Sequence, residues 1–296
     1  MTNQYENLVF KGGGVLGIAY AGAIEVLDQQ NVLQNIQRVA GTSAGAITAA
    51  LVSLRYTSAQ VTNIVNQTDF KSFEDGGVVF DALHTVNKYG FYKGDAFLNW
   101  LKAQIGNAGL GLDGNSTFAD FKSKGCRELH VFASDLNAQG LKEFSTEQTP
   151  DVIVAEAVRA SMSIPMFFEA WQFPNSNPDN HIYVDGGMVF NYPLDIFDTD
   201  NTANPKTLGI FLANLGTPPP PSGLTTGQFE KYISSLLSTM LDAQVINFMN
   251  DPEEKKRSVI IDNLGISPTN FKITDDQKTA LFNSGKQYTT AFLQAN

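Results

Sequence analysis

The stretch Val39–Gly45 most constrains how this chain folds, because it places a Gly-x-Ser-x-Gly pentapeptide between two different secondary-structure patterns. Apolar residues within 36–40 predict a strand before the serine, and the small and apolar run 46–54 predicts a helix after it. A serine in a tight turn between a strand and a helix is typical of a nucleophile elbow. Gly41 and Gly45 suit such a turn, since neighbouring Cβ atoms would crowd it. An ordinary turn of small residues is the alternative, and only the rest of the chain decides between them.

The chain opens with an alternation of strands and helices. A short strand at Leu8–Phe10 ends in three glycines, and a helix with apolar residues at helical spacing follows over 16–27. With the strand and helix around the elbow, this β-α-β-α order predicts an α/β fold with a parallel sheet and crossover helices. Further strands are predicted over 128–133, 141–145, 181–184, 207–213 and 258–261, and long helices over 227–249 and 275–294.

A proline run at 218–221 is the candidate domain boundary. The segment after it contains a single predicted strand, and a lone strand needs a sheet to join. We therefore predict a single domain over residues 1–296, in which 219–296 forms a C-terminal helical extension packed on the same domain.

The charge balance narrows the range of partners. The net charge of −10 argues against nucleic acid, because binding to phosphates needs a basic surface, and it offers no attraction to anionic membranes. Residues 1–7 lack a basic-then-apolar signal pattern, and the longest small and apolar stretch, 44–54, is too short to span a bilayer. We expect a soluble protein that is cytoplasmic, or exported without a cleaved N-terminal signal peptide.

A serine nucleophile needs a base, and histidine is the usual one. The chain has three histidines, His84, His130 and His181. Ser43, Asp135 and His181 occur in the order of an α/β-hydrolase triad, but that fold places several strands before the elbow and this chain places one. His130 and His181 also fall within predicted strands, and His84 has no motif around it. A histidine base is therefore disfavoured.

An aspartate is the alternative base if its surroundings are dry. In water its pKa lies near ~4, which makes it a weak base for a serine hydroxyl, and desolvation raises that value. Asp185 follows a predicted strand and precedes Gly186 and Gly187, which let the backbone approach closely. Asp135 also follows a strand but lacks the glycine pair. An Asx turn is the other interpretation of Asp185.

Gly12, Gly13 and Gly14 lie between the first strand and its helix. Consecutive glycines let backbone N–H groups converge on an anion, helped by the helix N-terminus behind them, so the run is a candidate oxyanion hole. With Gly17 it also spells Gly-x-Gly-x-x-Gly, a dinucleotide-binding fingerprint that requires an acidic residue at the end of the second strand. That strand runs into the serine pentapeptide instead, and no Gly-Lys-Ser/Thr of a P-loop follows.

Taken in order along the chain, these segments resemble the patatin-like phospholipase family, and in particular its bacterial members. The resemblance covers nearly the whole chain and rests on Lys11–Gly17 (Lys-Gly-Gly-Gly-Val-Leu-Gly), Gly41–Gly45, Ala160–Phe168 with its Ala-Ser and Pro-x-x-Phe, Asp185–Pro193 with its Asp-Gly-Gly and Asn-x-Pro, and the tail 266–292. Each block alone is weak evidence for the family, whereas the five blocks in this order are specific to it.

The resemblance implies a three-layer α/β/α sandwich with a mostly parallel central sheet, and a Ser–Asp dyad instead of a triad. It makes Ser43 the expected nucleophile, Asp185 the general base, and the glycines at 12–14 the oxyanion hole. The implied reaction is hydrolysis of fatty-acyl esters of phospholipids or lysophospholipids through an acyl-enzyme intermediate. No metal and no cofactor is implied. Peripheral contact with membranes is expected, and a protein or small-molecule activator is one candidate partner.

Position 16 departs from the family pattern, because Leu16 stands where a basic residue is usual. Two alternatives therefore stay open: a soluble carboxylesterase or thioesterase, and a catalytically impaired patatin-like protein with a binding or regulatory role. If the substrate is a lipid, an apolar mouth is expected. Its candidate residues are Phe73, Val78, Val79, Phe80, Phe91 and Tyr92.

Overall fold

A computed structural model describes residues 5–76, 88–200, 202–216, 223–226 and 228–295. Its strands are β1 (Asn7–Phe10), β2 (Arg38–Thr42), β3 (Gly90–Tyr92), β4 (Glu128–Asp135), β5 (Gly140–Phe144), β6 (Met166–Phe168), β7 (Tyr183–Asp185), β8 (Thr207–Ala213) and β9 (Ser258–Asp262). Its α-helices are α1 (Ile18–Gln29), α2 (Ala44–Ser53), α3 (Ser58–Gln67), α4 (Asp95–Asn107), α5 (Phe118–Ser123), α6 (Val154–Ser161), α7 (Phe229–Met249), α8 (Pro252–Lys256) and α9 (Asp275–Ala295). Short 3-10 turns include Gly14–Gly17, Phe70–Phe73, Gly186–Met188 and Leu194–Phe197.

Within the described residues the central sheet has seven strands, ordered β5-β4-β2-β1-β8-β9, with β7 pairing to β4 beyond the end of β2. Strands β1, β2, β4, β8 and β9 run parallel, whereas β5 and β7 pair with β4 antiparallel. β4 continues to Asp135, two residues further than the sequence pattern predicts, because its end pairs with both antiparallel strands. The predicted α/β class with a mostly parallel sheet is confirmed.

Both faces of this sheet are covered. Leu8 and Phe10 of β1 face the layer formed by α1, α2 and α9, while Val9 between them faces the opposite layer. There the turn Leu194–Phe197 and the end of α7, through Phe248, pack on the sheet. Burial on two faces explains why these strands read as continuous apolar runs and do not alternate with polar residues. The three-layer sandwich is confirmed.

The segment after the proline run contributes a strand to the sheet as well as helices. β9 pairs with β8, and α9 packs along α1. The two helices approach closely at Gly22 and Gly285, where an added Cβ would lie 2.0 Å from the Phe282 carbonyl and 1.9 Å from the Ala19 carbonyl. Across the described residues, no helix combines the length and the apolar character that crossing a membrane requires.

Candidate active site

Ser43 stands at the junction of β2 and α2 in a strained backbone conformation. β2 ends at Thr42, α2 begins at Ala44, and Ser43 between them has φ 55° and ψ −125°. Such dihedrals are costly for a residue other than glycine, and they cluster at functional sites. The turn closes because Gly41 lies directly against Gly45: a Cβ on Gly41 would be 2.3 Å from the Gly45 carbonyl. The strand, turn and helix that the pentapeptide predicts are therefore present.

Asp185 reaches Ser43 because β7 occupies the edge of β4 where β2 ends. On that edge Phe132 pairs with Thr42, the last residue of β2, and the next residue, Ala133, pairs with Asp185. β2 ends at the elbow, and beyond that point β7 takes its position beside β4, running antiparallel to β4. Ser43 and Asp185 line the same pocket, and the Ser43 hydroxyl lies close enough to the Asp185 carboxyl to lower its pKa. The contact thus follows from strand pairing and not from any local pattern.

The Asp185 carboxyl is buried, and only 7% of the residue is exposed. Burial raises its pKa from 3.8 to about 6, while the Ser43 hydroxyl and the Gly187 N–H act in the opposite direction. The bond from Gly187 is 2.7 Å long and closes an Asx-type turn, so this turn and the contact with Ser43 coexist. Gly186 packs on β4, where a Cβ would lie 2.4 Å from the Phe132 carbonyl.

Gly13 and Gly14 line the pocket that also contains Ser43. Within the described part of the chain, neither of their N–H groups has a hydrogen-bond partner. Gly14 has φ 54°, and a Cβ there would lie 2.0 Å from the Pro268 carbonyl, so this position requires glycine. Two unpaired backbone donors at the start of a helix, beside a serine hydroxyl, can stabilise negative charge that develops on a substrate.

Gly12 does not offer the free oxyanion donor that the sequence predicts. Its N–H donates to the Asn191 carbonyl over 2.9 Å, so this donor is already engaged, and Gly12 does not line the pocket. The glycine run shows which backbone can bend, but not which of its N–H groups a distant loop will satisfy. Gly12 instead connects the glycine loop to the loop after Asp185 through two hydrogen bonds. The second of these runs from the Asn191 side-chain amide to the Gly12 carbonyl over 3.4 Å.

Two polar side chains without a predicted role hold these loops in place. Ser161 accepts the Ser43 N–H at 2.9 Å and donates to a β4 carbonyl, which pins the elbow to the sheet. Gln244 of α7 accepts the Asn191 N–H at 2.9 Å and donates to the Gly187 carbonyl at 2.7 Å. Ser161 lies within the Ala-Ser block of the family resemblance, which was its only signal. No sequence signal marks Gln244, because a helix far along the chain supplies it.

The pocket over Ser43 is narrow and mainly apolar, with about 50 Å³ of space. One wall belongs to α7, and the loops after Asp185 and before α9 form much of the rest. Besides Ser43, Asp185, Gly13 and Gly14, the residues that line it include Ile164, Pro165, Met188, Leu237, Met240, Leu241 and Pro268. The space is that of a small group, and it does not hold an extended acyl chain.

The residues predicted to form an apolar mouth do not line this pocket. Phe73 lines a second cavity, and Phe91 and Tyr92 belong to β3, which pairs with β6 in a separate two-stranded sheet. Val78, Val79 and Phe80 lie outside the described residues. The apolar wall comes instead from α7, because the order of strands in the sheet brings the C-terminal segment over the elbow.

His130 and His181 have partners elsewhere. The two ring nitrogens of His130 lie 2.8 and 3.0 Å from glutamate carboxylates, and Nδ1 of His181 lies 2.7 Å from Asp135. The other Asp135 oxygen accepts two backbone N–H groups of the following turn. None of these three residues lines the Ser43 pocket, and His84 lies outside the described residues. Asp135, His181 and Asp179 also form the only group of potential metal ligands found in the described ranges.

Position 16 places no cation in the pocket. Leu16 is buried in the apolar core. Lys11 does not replace the missing charge, since its Nζ donates to the Gly12 carbonyl at 3.2 Å and lies 5.1 Å from the centroid of the Phe211 ring. Burial lowers the pKa of Lys11 to about 8, and Asp242 opposes this. The described residues that line the pocket include no lysine, arginine or histidine, so no cationic side chain among them meets an anion.

The site and the fold together define an α/β protein with a serine elbow, a buried aspartate and a glycine loop. The chain belongs to the patatin-like phospholipase family, whose model matches residues 8–198, a range that contains all three elements. It is 32% identical to the uncharacterized protein YqhO of Bacillus subtilis (strain 168) over 303 residues, which cover 98% of this chain and 99% of YqhO.

Two further relatives bear on function and on fold. The probable lipid hydrolase 463L of Invertebrate iridescent virus 6 is 25% identical over 195 residues, 65% of this chain and 63% of that protein. The crystal structure of VipD from Legionella pneumophila superposes with a TM-score of 0.66 at 17% identity, covering 99% of this chain and 67% of VipD. At that identity the superposition concerns the fold alone. The family resemblance and the patatin-like fold inferred from the sequence are confirmed.

Proposed function

We propose that this protein is a serine lipid acyl hydrolase that cleaves fatty-acyl esters of phospholipids or lysophospholipids. The observation that carries the proposal is the position of the Ser43 hydroxyl beside the buried Asp185 carboxyl in one apolar pocket. A serine hydroxyl is a weak nucleophile, and a positioned base activates it by taking its proton during attack. Membership of the patatin-like phospholipase family and the probable lipid hydrolase relative support a lipid ester as the substrate.

In the proposed reaction the Ser43 oxygen attacks the ester carbonyl carbon while Asp185 takes the hydroxyl proton. The N–H groups of Gly13 and Gly14 donate to the carbonyl oxygen as it becomes an oxyanion. Asp185 then returns the proton to the departing alkoxide, which leaves as an alcohol, and the acyl group stays on Ser43. A water molecule, deprotonated by Asp185, attacks this acyl-enzyme, and the fatty acid leaves as Ser43 recovers its proton.

Labelling and lipid release together test this function. A fluorophosphonate probe is expected to modify Ser43, and phosphatidylcholine vesicles are expected to release fatty acid with the wild-type protein but not with Ser43→Ala. Labelling and hydrolysis of short soluble esters without release from vesicles would favour the soluble esterase. Absence of both labelling and release would favour the impaired, binding or regulatory alternative that Leu16 leaves open.

Activity should depend on pH through the proposed base. Only the ionised Asp185 can accept the Ser43 proton, and burial raises its pKa to about 6. We therefore expect kcat/KM for a soluble ester to be level at neutral pH and to fall roughly tenfold per pH unit below the pKa of the base. The profile is measured with a fluorogenic ester over the range in which the protein stays folded. An acid limb centred near ~4, the pKa of an ordinary aspartate, would contradict the role of the buried carboxyl.

Helix α7 supports a contact with a lipid surface. While its inner face lines the pocket, Tyr232, Leu236, Thr239, Ala243 and Ile246 follow one another at helical spacing on its exposed side. The three largest are 49%, 44% and 60% exposed, and residues 232–249 carry a single charge. Exposed apolar side chains on a helix with few charges favour the interfacial region of a bilayer. We propose that this stripe contacts zwitterionic lipid, since the net charge of −10 does not favour anionic lipid.

Placing a charge on the stripe tests this contact. Ile246→Glu is expected to lower the ratio of vesicle hydrolysis to soluble-ester hydrolysis by about tenfold, because burying an isoleucine side chain in lipid is worth about 1.5–3 kcal/mol. Asn247→Glu is the matched control, since it adds the same charge at the neighbouring exposed position of α7. Equal ratios for the two variants would show that the apolar stripe does not dock.

A further inference from the structure

A second cavity lies among the helices on the α1 side of the sheet. It is bounded by α1, α2, α3, α4 and the turn Phe70–Phe73, and its volume is about 50 Å³. Its lining is mainly apolar, and Phe70, Phe73 and Trp100 supply aromatic rings. Phe73 packs edge-on against Trp100, with ring centroids 5.6 Å apart. The established family and the proposed chemistry assign nothing to this cavity.

The cavity adjoins the proposed active site through two backbone positions. Gly14 lines both this cavity and the Ser43 pocket, and Ala44, the residue that directly follows Ser43, lines the cavity. Gly17, which also lines the cavity, lies against Ala44, since a Cβ there would be 3.2 Å from the Ala44 Cβ. A carbonyl group held at the Gly14 N–H and attacked by Ser43 would therefore lie at the boundary between the two spaces.

The side-chain hydroxyls of the cavity are already satisfied. Two of its lining residues carry hydroxyls, and both donate to carbonyls of their own helix: Thr48 to Ala44 at 3.1 Å and Thr68 to Ile64 at 2.7 Å. None of the lining residues carries a formal charge. A polar or ionic head group would lose its hydration there without gaining partners, whereas a hydrocarbon chain would lose nothing.

We propose that this cavity accepts the acyl chain of the substrate, and that the Ser43 pocket under α7 accepts the alcohol side of the ester. The inference rests on the proposed function and deepens it, because it assigns the two sides of the scissile bond to two spaces. Chain-length preference is then set by the helices around the second cavity. This volume, like that of the Ser43 pocket, is smaller than a long chain, so such a chain enters by displacing Val65 and Phe70, which line the cavity and are only partly buried.

Filling the cavity tests the assignment. Val65→Phe adds a ring where Val65 lines the space, and Ile64→Phe is the matched control, since Ile64 is its partly buried neighbour on α3 but does not line the space. We expect the ratio of kcat/KM for p-nitrophenyl laurate to that for the acetate to fall about 10-fold or more in Val65→Phe and to stay unchanged in Ile64→Phe, because one methylene in a hydrophobic pocket changes kcat/KM by about 10–200-fold. Equal ratios in the two folded variants would overturn the proposal.

A binding measurement separates this inference from catalysis. The chain has two tryptophans, Trp100 in the cavity and Trp171 outside it. Bromine at the end of a laurate chain should quench fluorescence saturably in Trp171→Phe, which keeps Trp100, and not in Trp100→Phe, while unbrominated laurate should quench neither. Quenching confined to Trp171, or absent altogether, would overturn the cavity as the acyl site. If the fluorophosphonate leaves Ser43 unlabelled while quenching at Trp100 persists, the proposed function fails and the binding site stands.

Discussion

Replacing Asp185 by Asn is expected to lower kcat about 10³-fold, because an amide cannot accept the Ser43 proton and general-base catalysis contributes about 10²–10⁴. The loss should appear in both kcat and kcat/KM, since the base acts in the transition state. Asp135→Asn is the control: Asp135 pairs with His181 outside the pocket. Hydrolysis of a soluble ester at neutral pH measures both variants. A near wild-type rate for Asp185→Asn, with loss in Asp135→Asn, would move the base to Asp135.

The same substitution should stabilise the fold at neutral pH. The pKa of Asp185 rises from 3.8 to about 6 on folding, so the folded state disfavours the ionised carboxyl. Above the folded pKa this costs about 3 kcal/mol, and below the unfolded pKa, where both states are protonated, it costs nothing. We therefore expect Asp185→Asn to raise the free energy of unfolding by up to about 3 kcal/mol at neutral pH, with the gain vanishing near ~4. Denaturant titrations at several pH values measure it, and a gain confined to acid pH would contradict the sign.

Gly14→Ala is expected to lower kcat by about 10²–10³, the range found when one oxyanion donor is lost. Gly14 has φ 54°, and the new Cβ would lie 2.0 Å from the Pro268 carbonyl, which accepts the Val15 N–H. The loop must shift to relieve this contact, and the Gly14 N–H moves with it. Because the loss arises at the oxyanion, kcat should fall more than KM rises. Steady-state kinetics with a soluble ester provide the measurement.

A glycine in open space serves as the control for this change. Gly106, near the end of α4, has no positive φ, and a Cβ added there would have no atom within 4 Å. Gly106→Ala should therefore keep full activity and gain roughly 0.5–1 kcal/mol of stability, as alanine does in helices. If Gly14→Ala folds and turns over at the wild-type rate, the glycine loop is not the oxyanion hole.

Much of the fold could be predicted because its signals are local. The β-α-β-α opening depends on apolar spacing and on glycines at strand ends, and each is readable within about ten residues. The elbow was predictable for the same reason, since the contact of Gly41 with Gly45 lies within one turn. The residues that form the mouth of the site could not be predicted, because an aromatic residue such as Phe73 carries no local signal for which of two cavities it lines.

The sequence by itself determined which residues are candidates for the chemistry: a serine between two glycines, an aspartate before two more, and a glycine run. Each is a requirement of the local backbone, and a local requirement leaves its mark in the residue types. Only the tertiary structure decided that Asp185 meets Ser43, that Asn191 engages the Gly12 N–H, and that α7 closes the pocket through Gln244. These contacts join segments far apart in the chain, and strand order and register, which no local pattern encodes, bring them together.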